Sequence, residues 1–222
     1  MKAILAVLLV SLTAWAGEDE NKRLTEGATT LKEMASAGDS GIPKELFDKS
    51  VCAIVVPGMK KGGFIIGAKY GRGFASCRNA PGKWSAPAGM RVEGGSFGLQ
   101  AGGSESDIVL LVMNKSGMEK LLKSKFTLGG EASAAAGPVG RDASAMTDAM
   151  MRAEILSWSR SRGVFAGLSL QGSTMRPDDE FNKAFYGKEV TNPDILQGKQ
   201  LAPKESLNFV ATLNQISPKM KK

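Results

Sequence analysis

The residue types that proteins use most often for acid–base and metal chemistry are scarce in this chain of 222 residues. It contains no histidine and two cysteines. A Ser-His-Asp or Cys-His catalytic unit, a histidine-ligated zinc or haem and an imidazole pH switch therefore cannot form. Two thiols are also too few for a four-thiolate metal centre. What remains is carboxylate, lysine or tyrosine chemistry, or binding alone, and we predict no metal and no cofactor.

The carboxylates and glycines carry no catalytic or nucleotide motif. Acids such as Glu93, Asp107 and Glu131 would serve an enzyme only if two of them faced one cleft. Neither G-x-G-x-x-G after a strand nor G-x-x-x-x-G-K-[ST] occurs, so the nucleotide-binding fingerprints are missing. An enzyme that uses these carboxylates stays open as a third hypothesis, with only the presence of the acids behind it.

The basic residues are concentrated in one block. The formal net charge is +7, and residues 51–92 contain seven bases and no acid. These bases are Lys60, Lys61, Lys69, Arg72, Arg78, Lys83 and Arg91. Unbroken like charge in a folded segment is unfavourable unless opposite charge lies nearby. Either an anionic partner binds the block, or acids from residues 17–50 and 93–198 pack around it.

The N-terminus has the pattern of an export signal. Lys2 precedes an apolar run over 3–14 and the small-x-small sequence Ala14-Trp15-Ala16. The run is shorter than the ~20 residues of a membrane span, so we predict a signal peptide over 1–16, cleaved after Ala16. The residue directly after the cleavage site is Gly17 and not a cysteine, so a lipoprotein is not expected. Residues 17–222 are predicted to form one periplasmic domain with a basic tail at 217–222.

Cys52 and Cys77 are an even pair in a chain predicted to be exported. They form either a disulfide or two buried thiols on neighbouring strands.

The hydrophobic pattern predicts helices at both ends and strands between them. Apolar residues recur every three to four positions over 18–37 and 204–216, which is typical of amphipathic helices. Short apolar runs such as 51–56, 63–70 and 73–78 predict strands, and 94–102 with 107–113 is interpreted as a strand pair with a polar turn at 103–105. We therefore expect an α+β fold: one Gly-rich, mainly antiparallel β-sheet system, sandwich or barrel-like, with amphipathic helices at the N- and C-termini.

Several glycines in the predicted strands are spaced by four. Gly63, Gly67 and Gly71 form one set, and Gly94, Gly98 and Gly102 form another. Even spacing places each set on one face of its strand. That nearly bare face either packs closely against other backbone or leaves room for a ligand such as an acyl chain.

An ordered series of motifs between residues 20 and 216 resembles the SYLF domain family. The motifs include Cys52-Ala-Ile-Val-Val-Pro57, Trp84-Ser-Ala-Pro87, Gly95-Ser-Phe-Gly-Leu-Gln-Ala-Gly102 and Ser157-Trp-Ser-Arg-Ser-Arg-Gly163. The resemblance implies a phospholipid-binding module, with phosphoinositide binding in eukaryotic members, and no enzymatic activity. Because the first cysteine also occurs in cytosolic members, the resemblance favours free thiols over a disulfide.

The resemblance and the charge map coincide at six basic residues. The predicted lipid-binding residues are Lys60, Lys61, Lys69, Arg72, Arg160 and Arg162. Clustered Lys and Arg attract anionic headgroups, so we expect anionic phospholipids or a membrane surface as the partner. The alternative is that Arg72 and Arg160 are structural, pairing with Asp107, Glu93 or Asp142. An envelope protein-interaction or scaffold module is the competing function, and the predicted export argues against nucleic acid and actin as partners.

Overall fold

The structure, a computed structural model, describes residues 2–63, 66–79, 82–97, 102–140, 147–161, 163–167 and 170–218. Its α-helices are α1 (Lys2–Ser36), α2 (Lys44–Lys49), α3 (Lys115–Leu121), α4 (Asp148–Arg152), α5 (Asp179–Tyr186), α6 (Asn192–Leu196) and α7 (Leu207–Ile216). Its strands are β1 (Cys52–Gly63), β2 (Ile66–Cys77), β3 (Ala88–Phe97), β4 (Gly102–Val112), β5 (Phe126–Thr127), β6 (Ala134–Ala136), β7 (Ile155–Ser161), β8 (Val164–Gly167) and β9 (Thr174–Pro177). Short 3₁₀ helices lie at Gly38–Ser40 and Lys204–Ser206. No helix in these ranges combines the length and apolarity needed to cross a membrane.

The strands form one sheet whose two edges lie close together. The order is β5-β9-β3-β2-β1-β4-β7-β6, with β8 paired to β7, and β6–β7 is the one parallel pair among the described strands. Seven inter-strand spacings would put the edges about 34 Å apart in a flat sheet. The seven chain steps from Thr127 in β5 to Ala134 in β6 reach at most about 25 Å, and Leu128 bridges Ala132 between them. The sheet therefore curls like a half-barrel.

Each face of the curled sheet has its own hydrophobic core. The inner face carries Cys52, Ile54 and Val56 and packs with residues of both edge regions, such as Phe126 in β5 and Ile155 in β7. The outer face carries alternate residues of the same strands and packs under α1, α2, α5 and α7. These observations confirm the predicted α+β fold with one mainly antiparallel sheet and helices at both ends.

A bulge carries β1 past the point where the sequence predicts its end. The apolar run ends at Val56, but β1 continues to Gly63. Val56 pairs with Ile108 and Met59 with Ser106, so Pro57 and Gly58 together face one β4 residue. Gly58 has φ +57°, which glycine adopts readily, and its N–H donates to Asp107 Oδ1 at 2.9 Å. The extra residue shifts the side-chain alternation in the second half of β1 by one position.

Three predictions about the strands are wrong: one division into two strands, one strand pairing and one turn. Residues 63–70 and 73–78 belong mainly to the single strand β2 rather than to two strands. The predicted pair of strands at 94–102 and 107–113 does not form, because β3 pairs with β2 and β9 whereas β4 pairs with β1 and β7. The turn predicted at 103–105 lies inside β4. The local composition of residues 103–105 is typical of a turn, but the pairing and register of strands are set by long-range packing.

One end of the sheet, which we call the closed end, is sealed by buried polar contacts. It comprises Cys52, Cys77, Arg78, Trp84 and Ser217, of which Cys52 and Cys77 are paired positions of β1 and β2 joined by a disulfide. Arg78 donates to Ser217 Oγ at 2.5 Å and to the Ser50 carbonyl at 3.2 Å. Its guanidinium lies 4.2 Å from the centre of the Trp84 ring. Since Ser217 follows α7, this network fixes the C-terminal helix to the sheet.

Candidate functional site

The opposite end of the sheet, the open end, extends beyond the helices. It comprises the described parts of β1–β4 from Lys60, Tyr70, Gly94 and Glu105 outward. Helix α1 crosses the outer face between Arg72 and Arg160, which it contacts through Glu20 and Glu33. Beyond that crossing the outer-face residues are uncovered, and Tyr70 is 45% exposed. Lys60 and Ala68 are exposed too.

Three lysines of the basic block lie at the open end. The register pairs Lys60 with Tyr70 and Lys61 with Lys69. Because β2 places Phe74 outward and Ala75 inward, Lys61 and Lys69 belong to the inner face and Lys60 to the outer face. Glu105 is the register partner of Lys60 on β4. Even so, among the described residues no carboxylate lies within 4.0 Å of these three ammonium groups.

The inner-face lysines repel each other. Burial, and then the positive charge of Lys61, lowers the pKa of Lys69 below its ordinary value. Directly opposed like charges on one face of a sheet are unfavourable. This arrangement therefore favours any anion that can lie between the two ammonium groups.

The predicted site residue Arg72 is instead neutralised. Its Nε donates to Asp178 Oδ2 at 2.5 Å, and its Nη2 lies 3.3 Å from Glu20 Oε1. Arg91 donates to the other oxygen of Asp178 at 2.8 Å. Burial would raise the pKa of Asp178, but the hydrogen bonds from Arg91 and Arg72 lower it. Arg72 therefore anchors α1 and the start of α5 to the sheet.

Arg160 is also paired, as the structural alternative predicted. Its Nε donates to Asp107 Oδ2 at 3.0 Å, and it forms an ion pair with Glu33 of α1. The same Asp107 holds the Gly58 bulge. Arg162, the sixth predicted site residue, lies outside the described residues.

The packing of the glycines differs between the ends. Gly63, Gly67, Gly71, Gly94 and Gly102 share the inner face. However, neither predicted set lies in one strand: Gly63 belongs to β1 and Gly67 and Gly71 to β2, while Gly94 belongs to β3 and Gly102 to β4. Side chains at Gly71 and Gly73 would overlap Val56 and the Val55 carbonyl, so close packing explains the lack of side chains there. By contrast, nothing lies within 4 Å of a Cβ at Gly62. Gly98 lies outside the described residues, and Gly163 occupies a turn with φ +80° instead of a strand.

Sequence reasoning missed Asp178 and Ser173. Asp178 caps the start of α5 by accepting from the Phe181 N–H at 3.2 Å, and it also binds Arg72 and Arg91. Ser173 is fully buried, and its hydroxyl has no hydrogen-bond partner among the described residues. No local signal marks either role, since both depend on contacts far away in sequence. In the part of the chain that the structure describes, no cluster of three Cys, Asp or Glu residues is arranged to hold a metal.

Comparison with known proteins identifies a family. A family model described as "Ysc84: Las17-binding protein actin regulator" matches residues 93–216. SH3 domain-containing YSC84-like protein 1 of Rattus norvegicus is 30% identical over 199 residues, which are 87% of this chain and 58% of the relative. Protein YSC84 of Saccharomyces cerevisiae is 33% identical over 146 residues, which are 64% of this chain and 31% of that protein. This chain thus spans little more than half the length of the rat relative.

These names refer to an actin regulator and to SH3-domain proteins rather than to enzymes. They do not support the prediction that actin is excluded as a partner. The family match covers more than half of the chain and includes the motifs at 95–102 and 157–163, whereas those at 52–57 and 84–87 lie outside it. The chain therefore belongs to the Ysc84, or SYLF, domain family.

Proposed function

We propose that this chain binds anionic phospholipid surfaces, without catalysing a reaction, through Lys60, Lys61 and Lys69 at the open end. The headgroups would be phosphoinositide-like, with exposed phosphates. The observation that carries the proposal is that the bases of the block fall into two classes, neutralised arginines and open-end lysines. Arg72 and Arg91 are neutralised by internal carboxylates, whereas the three lysines are not and project beyond the helices.

The expected energy is sufficient for reversible membrane binding. A lysine near an anionic membrane contributes about 1 kcal/mol, so three contribute about 3 kcal/mol, or roughly a hundredfold in affinity. Exposed Tyr70 adds an aromatic ring of the kind that lies readily at a membrane interface. Because the attraction is electrostatic, salt should weaken it.

Cosedimentation with vesicles tests the proposal. The chain should bind phosphatidylcholine vesicles containing phosphatidylglycerol or a phosphoinositide and leave pure phosphatidylcholine unbound. Charge reversal at Lys60→Glu and Lys61→Glu together should reduce binding about tenfold or more. Lys83→Glu is the matched control, since Lys83 is an exposed lysine of the same block near the closed end. Binding that ignores lipid charge, or equal losses in both variants, would contradict the proposal.

A protein partner is the second candidate, because the family description names Las17 binding and actin regulation. A photo-crosslinking amino acid at Tyr70 separates the two candidates in cells. Lipid adducts support membrane binding, whereas one dominant protein adduct supports a scaffold role in the cell envelope.

We also propose that the chain is exported to a periplasm after cleavage behind Ala16. Mass spectrometry of the protein from the producing cells would then show a mature N-terminus at Gly17. An intact N-terminus would contradict this proposal and would leave the lipid proposal unaffected.

A further inference from the structure

Beyond the open-end lysines the sheet continues without charged residues. Residues 62–68, between Lys61 and Lys69, include no charged residue, and neither do residues 94–103. The antiparallel pairing of β1 with β2 and β4, and of β2 with β3, brings both segments to the same end of the sheet. We call the described residues of these two segments the tip.

One row of the tip is a bare surface on the outer face. It lies two residues beyond Lys60 and Tyr70, on the same side of the sheet. Across β4, β1, β2 and β3 the register aligns Gly103, Gly62, Ala68 and Gly95. All four residues are exposed. With neighbouring strands about 4.8 Å apart, the row is about 14 Å wide.

Close packing does not explain the glycines of this row. Nothing lies within 4 Å of a Cβ built on Gly62, and a Cβ on Gly95 or Gly103 would meet only a backbone oxygen, at 4.0 or 3.9 Å. None of these three glycines has the left-handed backbone that favours glycine. Because glycine weakens a strand, the fold alone does not account for the bare row.

We propose that the tip inserts edge-on into the headgroup region of an anionic lipid bilayer, a proposal that rests on the lipid-binding function above. Lys60, Lys61 and Lys69 then lie at the level of the lipid phosphates, and Tyr70 lies in the interface, where aromatic rings are favoured. The charges select this partner. Lysines without a carboxylate partner among the described residues border the tip, and the tip itself has no charge to desolvate.

The dimensions of the tip match this depth. Gly63 and Gly67 lie two residues beyond the paired Lys61 and Lys69, which is about 7 Å along the strands. The headgroup region of one leaflet is about 5–8 Å thick. Lysines at the phosphates therefore place the described strand ends near the boundary with the acyl chains.

The strand edges limit the insertion to that boundary. In the described structure β9 pairs with β3 only as far as Glu93, and β7 pairs with β4 only as far as Asp107. The outer edges of β3 and β4 are therefore unpaired at the tip. Unpaired backbone groups are excluded from hydrocarbon but find water and polar partners among the headgroups.

A fluorescent probe at the bare row tests the insertion. Cys52 and Cys77 form a disulfide, so the environment-sensitive fluorophore NBD labels only the introduced thiol of an Ala68→Cys chain. Vesicles of phosphatidylcholine with phosphatidylglycerol should shift its emission to the blue, and lipids with a nitroxide near the top of the acyl chain should quench it. Ala211→Cys is the matched control, since Ala211 is an exposed alanine of α7, and its probe should not respond.

Substitutions at Ala68 should change the affinity in opposite directions. Ala68→Leu adds apolar surface to the tip and should strengthen binding to anionic vesicles about threefold or more. Ala68→Asp adds a negative charge at the headgroups and should weaken binding about fivefold or more. The same two substitutions at Ala211 should leave vesicle binding unchanged. Cosedimentation measures the affinities.

The outcomes separate insertion from the proposed function. If anionic vesicles bind but the Ala68 probe does not respond, insertion is wrong and surface binding stands. If no vesicle binds, both proposals fail. If the probe responds equally to pure phosphatidylcholine, insertion stands and the requirement for anionic lipid fails. Equal gains in affinity for Ala68→Leu and Ala211→Leu would also overturn insertion.

Discussion

The two ends of the curled sheet carry basic residues in opposite surroundings. At the closed end the basic side chain Arg78 is buried and its donors are used by Ser217, Ser50 and Gly82. At the open end Lys61 and Lys69 face each other, and no carboxylate in the described part of the chain pairs with them. Satisfied buried groups hold one structure together, whereas unsatisfied charge lowers stability and is available for a ligand.

The side-chain chemistry follows the same division. A planar guanidinium can bind two partners in fixed directions, as Arg72 does with Asp178 and Glu20. Lysine carries a compact, strongly hydrated charge on a flexible stem, which suits an exposed contact with a fluid lipid surface. In the basic block the described arginines hold the fold and the open-end lysines remain available for binding.

Replacement of Arg78 should have the largest effect on the closed end. Arg78→Leu leaves the carbonyls of Ser50, Gly82 and Ser217 without this donor and should lower the free energy of unfolding by about 3–5 kcal/mol. Urea unfolding measures the loss. Lys83→Leu, five residues away and exposed, should stay within about 0.5 kcal/mol. Equal losses in the two variants would show that the network does not seal this end.

Removal of the disulfide should have the next largest effect. Cys52 and Cys77 are 25 residues apart, so the chain-entropy relation predicts a loss of about 3.5 kcal/mol in the Cys52→Ala, Cys77→Ala double variant. Reductant should destabilise the parent chain under unfolding conditions and leave the double variant unchanged. Vesicle binding by the folded variant should persist, because the lysines are at the other end. A parent chain that carries two free thiols by thiol titration would contradict the bridge.

A pair of glycine variants compares packing at the two ends. Gly73→Ala drives a methyl group into the Val55 carbonyl beside the bulge and should cost about 1–3 kcal/mol. Gly62→Ala meets nothing within 4 Å and should leave the urea midpoint nearly unchanged. If Gly73→Ala is tolerated as well as Gly62→Ala, the bulge geometry is wrong.

Acid should weaken the closed end by a smaller amount. Burial would raise the pKa of Glu154, but hydrogen bonds from Lys120, Ser116 and Ser133 lower it from 4.5 to about 2. A carboxylate with a depressed pKa stabilises the fold above its unfolded-state pKa, and this contribution is lost as the pH falls from 4.5 towards 2. We expect a loss of about 1–2 kcal/mol over that window. Glu154→Gln should be less stable at pH 7 and should show a flatter pH dependence between these values.

Several elements of the fold could be predicted because their signals are local. The amphipathic repeats before residue 37 and after 204 gave helices, and the apolar runs at 51–56 and 107–113 gave strands. The two-residue β5 and the four-residue β9 were missed, since such short strands have no periodic pattern of their own. They form through partners far away in sequence, since Phe126 pairs with Met175 and Met175 pairs with Val92 of β3.

The candidate site was only partly predictable for a related reason. The density of basic residues identified the block at 51–92. It could not show that Arg72 is neutralised by carboxylates and that Lys69 has none as a partner among the described residues. That separation depends on Asp178, which is 106 residues from Arg72 in sequence. Arg160 likewise became structural through Asp107 and Glu33, which no local pattern connects to it.

By itself, the sequence determined the absence of histidine chemistry, the family motifs, the terminal helices and the location of the basic block. Only the tertiary structure decided which bases are neutralised and which lysine faces inward. The bulge at Pro57 and Gly58 adds one residue to β1, and one residue reverses the face on which every later side chain lies. For that reason Lys61, and not Lys60, is paired with Lys69 on the inner face.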